Sequence, residues 1–237
     1  MPIRSLELLG TVAQGFGDLL KNVVFLGGPT LDLYVSDSAA IQNRTTGEID
    51  CILGSLALPD YAQWEQLLLE RGFHKLTAID QFRHRWQYDG ITLNILARDK
   101  DRLAVNYRWF DEGIFHAQSF SLPNGLSIKT FSPAYFIAAK IEAFIHQGER
   151  DYRTSEDFED LIFVLDNREA ITKDMCQAFY EVRQYIQSHF NRFLNDPCLE
   201  EGLYYVLPFG VDFSHIQRIF NIMLSVVNYE PNLVRSK

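Results

Sequence analysis

Three places in the first hundred residues combine residue types that suit chemistry on a phosphorylated ligand. The apolar run Val23-Val24-Phe25-Leu26 stops at Gly27-Gly28, with Pro29 immediately after. Two bare glycines let a ligand approach the backbone, and the free N–H groups of a following helix favour a phosphate. Glu48 and Asp50 stand two residues apart at the head of the apolar segment Ile49–Leu53. Side chains at i and i+2 of a strand share a face, so both carboxylates aim at one point. Two convergent carboxylates beside a glycine turn suit a hard divalent cation, Mg²⁺ or Mn²⁺, carried by a nucleoside triphosphate. Asn94 interrupts a third apolar run, Ile91 to Leu96. A buried amide must find hydrogen-bond partners, and this one is the natural third member of the carboxylate cluster. Its oxygen can ligate magnesium, yet it brings no charge and cannot serve as a base.

The elements that must position these residues follow from pattern. Val23–Leu26 reads as a buried strand, the glycines as a turn, and Pro29 as the first turn of a helix. A helix with glycine interruptions is expected over Ser5–Lys21, and another over Pro59–Arg71, ending at Gly72. Strands are expected at Arg83–Tyr88, Ile91–Ala97 and Phe115–Phe120, the first two joined by the hairpin dipeptide Asp89-Gly90. From Ser132-Pro133 the apolar spacing becomes helical, with helices expected to Gln147, from near Ser155 to Asp166-Asn167, over Thr172–Phe193 and over Phe213–Val227. The chain thus reads as α+β, with an α/β portion over residues 1–130 and a helical domain over 131–237 packed against it.

Composition narrows the class. An apolar share of 47% with 22% charged residues is that of a globular chain and excludes wholesale disorder. The formal charge of −9 disfavours broad, sequence-independent DNA or RNA coating, although a local basic patch can still hold an RNA end. Three widely spaced cysteines, Cys51, Cys176 and Cys198, form neither a disulfide framework nor a CxxC zinc pair and are expected as reduced thiols in a cytoplasm. Cys51 should face the core, opposite Asp50. The first residues carry no basic segment followed by an apolar stretch, so no leader is expected, and no apolar run approaches membrane-spanning length. Arg83-His84-Arg85 with Trp86, and Arg98, Lys100, Arg102 with Tyr107, Arg108 and Trp109, interleave cations with aromatics. That mixture suits a single-stranded RNA end, or simply a solvated strand edge.

Four segments in order, Gly27-Gly28, Arg44-Thr45-Thr46-Gly47-Glu48-Ile49-Asp50, Ser132 to Phe144 with Lys140-Ile141-Glu142-Ala143-Phe144, and Ser155-Glu156-Asp157-Phe158-Glu159-Asp160, resemble the nucleotidyltransferase family that includes AbiEii/AbiGii-type toxins. The resemblance covers roughly residues 20 to 170. It implies a polymerase-β-like nucleotidyltransferase core followed by a helical domain, and Mg²⁺-dependent transfer of a nucleoside monophosphate from an NTP. On that resemblance Gly27, Gly28, Arg44 and Thr46 line the nucleotide, Glu48, Asp50 and Asn94 surround the metal, Lys140 contacts the triphosphate, and Asp157 is the carboxylate of the following helix. The chain departs from the family pattern where Glu48 and Asn94 replace aspartates and where Gln147 stands in the place of an arginine, with Arg150 close by.

The same residues have plainer readings. Gly27-Gly28 is also a tight turn, Glu48 and Asp50 a solvated strand start, Lys140 the polar edge of an apolar helix, and Asp157, Glu159 and Asp160 an acidic first turn favoured by the helix dipole. Two functions are therefore expected. The first is an enzyme acting on RNA or protein, as the toxin of a toxin–antitoxin pair with an antitoxin protein as partner. The alternative is a nucleotidyltransferase-fold protein that binds a nucleotide or a protein without transfer.

Overall fold

The computed structural model describes residues 5–36, 48–53, 61–76, 85–97, 108–147, 151–208, 210 and 212–231. The fold is α+β, with a mixed seven-stranded sheet and many helices. The chain divides into two compact units: Met1–Leu33, Ile41–Val105 and Asp111–Ser132 form the first, and Tyr34–Ala40, Asn106–Phe110 and Pro133–Lys237 the second.

The first unit holds the sheet. Its strands are β1 (Val23–Leu26), β2 (Glu48–Leu53), β3 (His74–Lys75), β4 (Arg85–Tyr88), β5 (Ile91–Ala97), β6 (Gln118–Ser121) and β7 (Ser127–Thr130), in the spatial order β3-β4-β5-β2-β1-β7-β6. β2 runs antiparallel to β1 and parallel to β5, and β5 runs antiparallel to β4. Helices α1 (Ser5–Phe16) and α2 (Tyr61–Glu70) belong to this unit. Leu9, Val12 and Phe16 of α1, and Trp64 and Leu68 of α2, pack with Phe25, Ile49, Cys51, Trp86, Leu93 and Ile95 of the sheet. Alternation along each strand commits these residues to the core face and leaves Glu48, Asp50, Asn94 and Arg85 on the other face. Cys51 is fully buried, as its position opposite Asp50 requires.

Several expectations are met in detail. β1 and β5 have the expected limits, and Asp89 and Gly90 both take positive φ, 47° and 78°, the signature of a hairpin turn whose twist matches its strands. Others are corrected. The segment after Gly27 is a six-residue 3-10 turn, Gly28–Leu33, rather than an α-helix. The strand expected from Phe115 begins at Gln118, because Phe110–Phe115 forms a short helix, α3, carrying Asp111 and Glu112 in its first turn. Strand β7 was not expected at all.

The second unit contains α4 (Pro133–Gln147), α5 (Glu156–Asn167), α6 (Ile171–Cys176), α7 (Tyr180–Leu194), α8 (Leu199–Val206) and α9 (Phe213–Val227). Ser155 caps α5 by accepting from the Phe158 N–H, and Asp212 caps α9 by accepting from the Ser214 N–H. The single helix expected over Thr172–Phe193 is two. The buried Arg183 donates to the carbonyls of Cys176 and Ala178, so the end of α6 finds partners without the helix continuing.

Among the described residues no helix is long and apolar enough to cross a membrane.

Candidate functional site

Asp50, Asn94 and Arg85 lie in one row across three adjacent strands: Asp50 is paired in register with Asn94 across β2 and β5, and Asn94 with Arg85 across β5 and β4. On the other side of β2, Asp50 stands in register with Leu26, the residue before Gly27. Glu48 is two positions along β2 from Asp50 and therefore on the same face. Residues 44 and 46 apart in sequence are thereby brought into hydrogen-bond contact.

The Asn94 amide joins the two acids. Its Nδ2 donates to Asp50 Oδ1 at 2.9 Å and to Glu48 Oε2 at 3.2 Å. Two acceptor carboxylates demand the donor end of the amide, so the orientation follows from chemistry. The second Glu48 oxygen, Oε1, forms an ion pair with Arg85 Nη2. Glu48, Asp50 and Asn94 are all half-buried, within reach of both the sheet and water.

Gly27 closes one side of this cluster. Its φ of +81° lies in the left-handed region, and a Cβ there would stand 2.8 Å from Asp50 Oδ2. Both facts require glycine. The turn is fastened by Thr30, fully buried, whose backbone N–H and Oγ1 both donate to the Gly27 carbonyl, at 3.1 and 2.8 Å. The Thr30 N–H is therefore already spent within the turn. Gly28 opens the 3-10 segment beside it.

Three carboxyl and amide side chains of oxygen chemistry suit Mg²⁺ or Mn²⁺. Glu48 and Asp50 would supply charge, and Asn94 would supply its oxygen once the amide is turned about its last torsion. Among the described residues no group of three His, Cys, Asp or Glu side chains is placed to hold a metal ion, so the oxygen set here comprises two acids and one amide.

The second unit carries the other expected pair. Lys140 on α4 reaches Asp157 Oδ1 at 2.8 Å and Asp160 Oδ2 at 2.7 Å, both on α5. Asp157 and Asp160 are three residues apart on a helix and so lie on one face. Burial by itself would lower the Lys140 pKa, but the charges and hydrogen bonds of Asp160 and Asp157 outweigh it and hold the ammonium above its ordinary value. Lys140 is thus a protonated tie between α4 and α5. Arg44, Thr46 and Arg150 lie outside the described residues, as do Arg83, His84, Arg98, Lys100, Arg102 and Tyr107.

Arg85 and Thr30 are the site residues that motif reading passed over. In sequence Arg85 and Trp86 read as part of a stretch suited to an RNA end or as a solvated strand edge, whereas Trp86 is fully buried in the core and Arg85 is engaged with Glu48. Its spacing held the signal: on a strand whose Trp86 must face the core, Arg85 must face the other way. Trp109 is buried too, and the Arg108 guanidinium stacks over its ring and that of Tyr185, at 5.0 and 4.9 Å. No protein-family model matches the chain, and no curated protein matches it either.

Proposed function

We propose that this protein is a nucleotidyltransferase of the polymerase-β-like kind that binds an NTP with Mg²⁺ and transfers its nucleoside monophosphate to RNA or to a protein side chain. The observation that carries this reading is the convergence of Glu48, Asp50 and Asn94 on one sheet face against the glycine turn at Gly27. The resemblance to AbiEii/AbiGii-type toxins, borne by the ordered motifs around those residues, supports the same reaction.

In such a transfer an acceptor oxygen bonds to the α-phosphorus while the bond to pyrophosphate breaks. A bound divalent cation supplies charge neutralisation of the triphosphate and lowers the barrier to attack. The chain's own part is to hold Glu48 and Asp50 in one orientation and to keep the backbone at Gly27 bare. Lys140 enters the proposal as a counter-charge for the triphosphate on the resemblance alone; its observed partners are Asp157 and Asp160. The resemblance further suggests a cytoplasmic toxin with an antitoxin partner.

A second reading is favoured by one observation: the third position is an amide, and one acid is already ion-paired with Arg85. On that reading the protein binds a nucleotide or a protein partner without transferring anything. Incubation with each labelled NTP, total RNA and cell protein separates the two. Label that becomes covalently attached, and that is lost with Asp50→Ala, supports the enzyme; metal-dependent binding with no labelled product supports the second reading. For the toxin role, expression should arrest growth and Asp50→Ala should relieve the arrest.

A further inference from the structure

We propose that Arg85, paired with Glu48, is a resident counter-cation at the site of Glu48 and Asp50, and that a divalent cation loads when the guanidinium withdraws from Glu48 and the Asn94 amide turns its oxygen inward. The inference rests on the proposed nucleotide and metal site and adds its regulation.

The charge balance is the starting point. Among the described side chains, Glu48 and Asp50 bring negative charge, Asn94 brings none, and the Arg85 guanidinium on Glu48 offsets part of the charge that an incoming divalent ion would use. Cation affinity at an oxygen site follows the number of charged ligands, so the guanidinium weakens loading directly. Geometry adds a second barrier. Asn94 presents its NH₂ to both acids, 2.9 Å from Asp50 and 3.2 Å from Glu48. That is a repulsive group for a metal, and its oxygen is available only after the amide turns.

Both obstacles are reversible. The Arg85 and Glu48 side chains are 36% and 43% exposed, so water can replace the ion pair at small cost. Arg85 Nε is buried without a hydrogen-bond partner, and withdrawal of the side chain would return it to water. Asn94 needs only rotation about its terminal torsion, which is broad for amides. A triphosphate offers the released guanidinium a new anionic partner, which links nucleotide arrival to metal loading.

The test is Mn²⁺ titration of the metal-free full chain, with free Mn²⁺ followed by electron paramagnetic resonance. Arg85→Gln is expected to bind Mn²⁺ at least about tenfold more tightly than the parent, and Arg85→Lys, which keeps the charge, to bind like the parent. Asn94→Asp, which supplies a third acid, is expected to bind about tenfold more tightly as well. If Asn94→Asp gains affinity while Arg85→Gln gains none, the metal site stands and the counter-cation role is overturned. If none of the chains binds Mn²⁺, the metal site itself is overturned and this inference with it. Should Arg85→Gln fail to fold, the parent decides the matter through the Asn94 side-chain NH₂ signals, assigned by their loss in Asn94→Asp. Slow solvent exchange without metal, with displaced signals under saturating Mg²⁺, supports the turn of the amide; Mg²⁺ binding that leaves those signals unmoved refutes it.

Discussion

Asn94 Nδ2 lies 2.9 Å from Asp50 Oδ1, between two strands that pair these residues in register, and the same nitrogen reaches Glu48. A neutral donor thus holds two acids together where a third acid would drive them apart.

Replacing Asn94 with Asp should therefore destabilise the metal-free protein by about 1–3 kcal/mol, since a donor is lost and a like charge gained. The loss should shrink as pH falls through the carboxylate range, because a protonated acid again supplies a donor. Urea unfolding at several pH values, with and without Mn²⁺, measures both effects. Equal stability of parent and variant at neutral pH would show that the three side chains do not share a site.

Gly27→Ala places a Cβ on a backbone at φ +81° and 2.8 Å from Asp50 Oδ2. The expected cost is about 1–3 kcal/mol, and the displaced carboxylate should weaken NTP binding as well. Gly72→Ala is a control for backbone strain alone: its φ is +83° but a Cβ there meets nothing within 4 Å. Thermal unfolding should show both variants weakened, and only Gly27→Ala should lose NTP affinity.

Lys140 is held protonated by Asp160 and Asp157, with side-chain exposures of 15%, 4% and 28% for the three residues. Its folded pKa lies above the unfolded value of about 10.4, so the stability it contributes is complete below that pH and is lost as pH rises through the higher folded value. Lys140→Met should cost about 3–5 kcal/mol at neutral pH by removing the ammonium from the buried Asp160 carboxylate and from Asp157. Denaturation from pH 7 upward should show an alkaline decline in the parent that is reduced in the variant. An unchanged alkaline profile in Lys140→Met would contradict the tie.

The cysteines offer a check on burial. Cys51 is buried, and burial followed by the Asp50 charge raises its thiol pKa well above the usual value; burial also raises Cys176, with Arg183 opposing. Cys198 is exposed. A thiol reagent such as Ellman's should titrate one thiol rapidly in the native protein and all three after unfolding. Rapid reaction at Cys51 would contradict the placement of β2.

Much of the site was legible in local pattern. Glu48 and Asp50 share a face because they are two apart on a strand, and Cys51, the residue after Asp50, is buried because it points to the opposite, core face. The Asp89-Gly90 turn joins β4 to β5, and that hairpin sets Arg85 opposite Asn94. What pattern does not supply is the partner of a charge. Arg85 reads as a basic patch until β4 and β5 are in register with β2, and only then does Glu48 claim it. The break between α6 and α7 is of the same kind. It depends on the side chain of Arg183 folding back onto two carbonyls, which no apolar spacing announces. Lys140 carries a similar lesson, since its helix and the acidic first turn of α5 are legible in sequence but the pairing of Asp160 with Lys140 is not.

The central claim, that Glu48, Asp50 and Asn94 form a metal-dependent nucleotide site beside Gly27, is tested most directly by equilibrium dialysis of labelled NTPs against the parent chain and Asp50→Ala, each with Mg²⁺ and with chelator. The parent should retain NTP only with Mg²⁺, and Asp50→Ala should lose at least about tenfold in affinity while still folding. Retention that is equal in both proteins, or that ignores Mg²⁺, would contradict it.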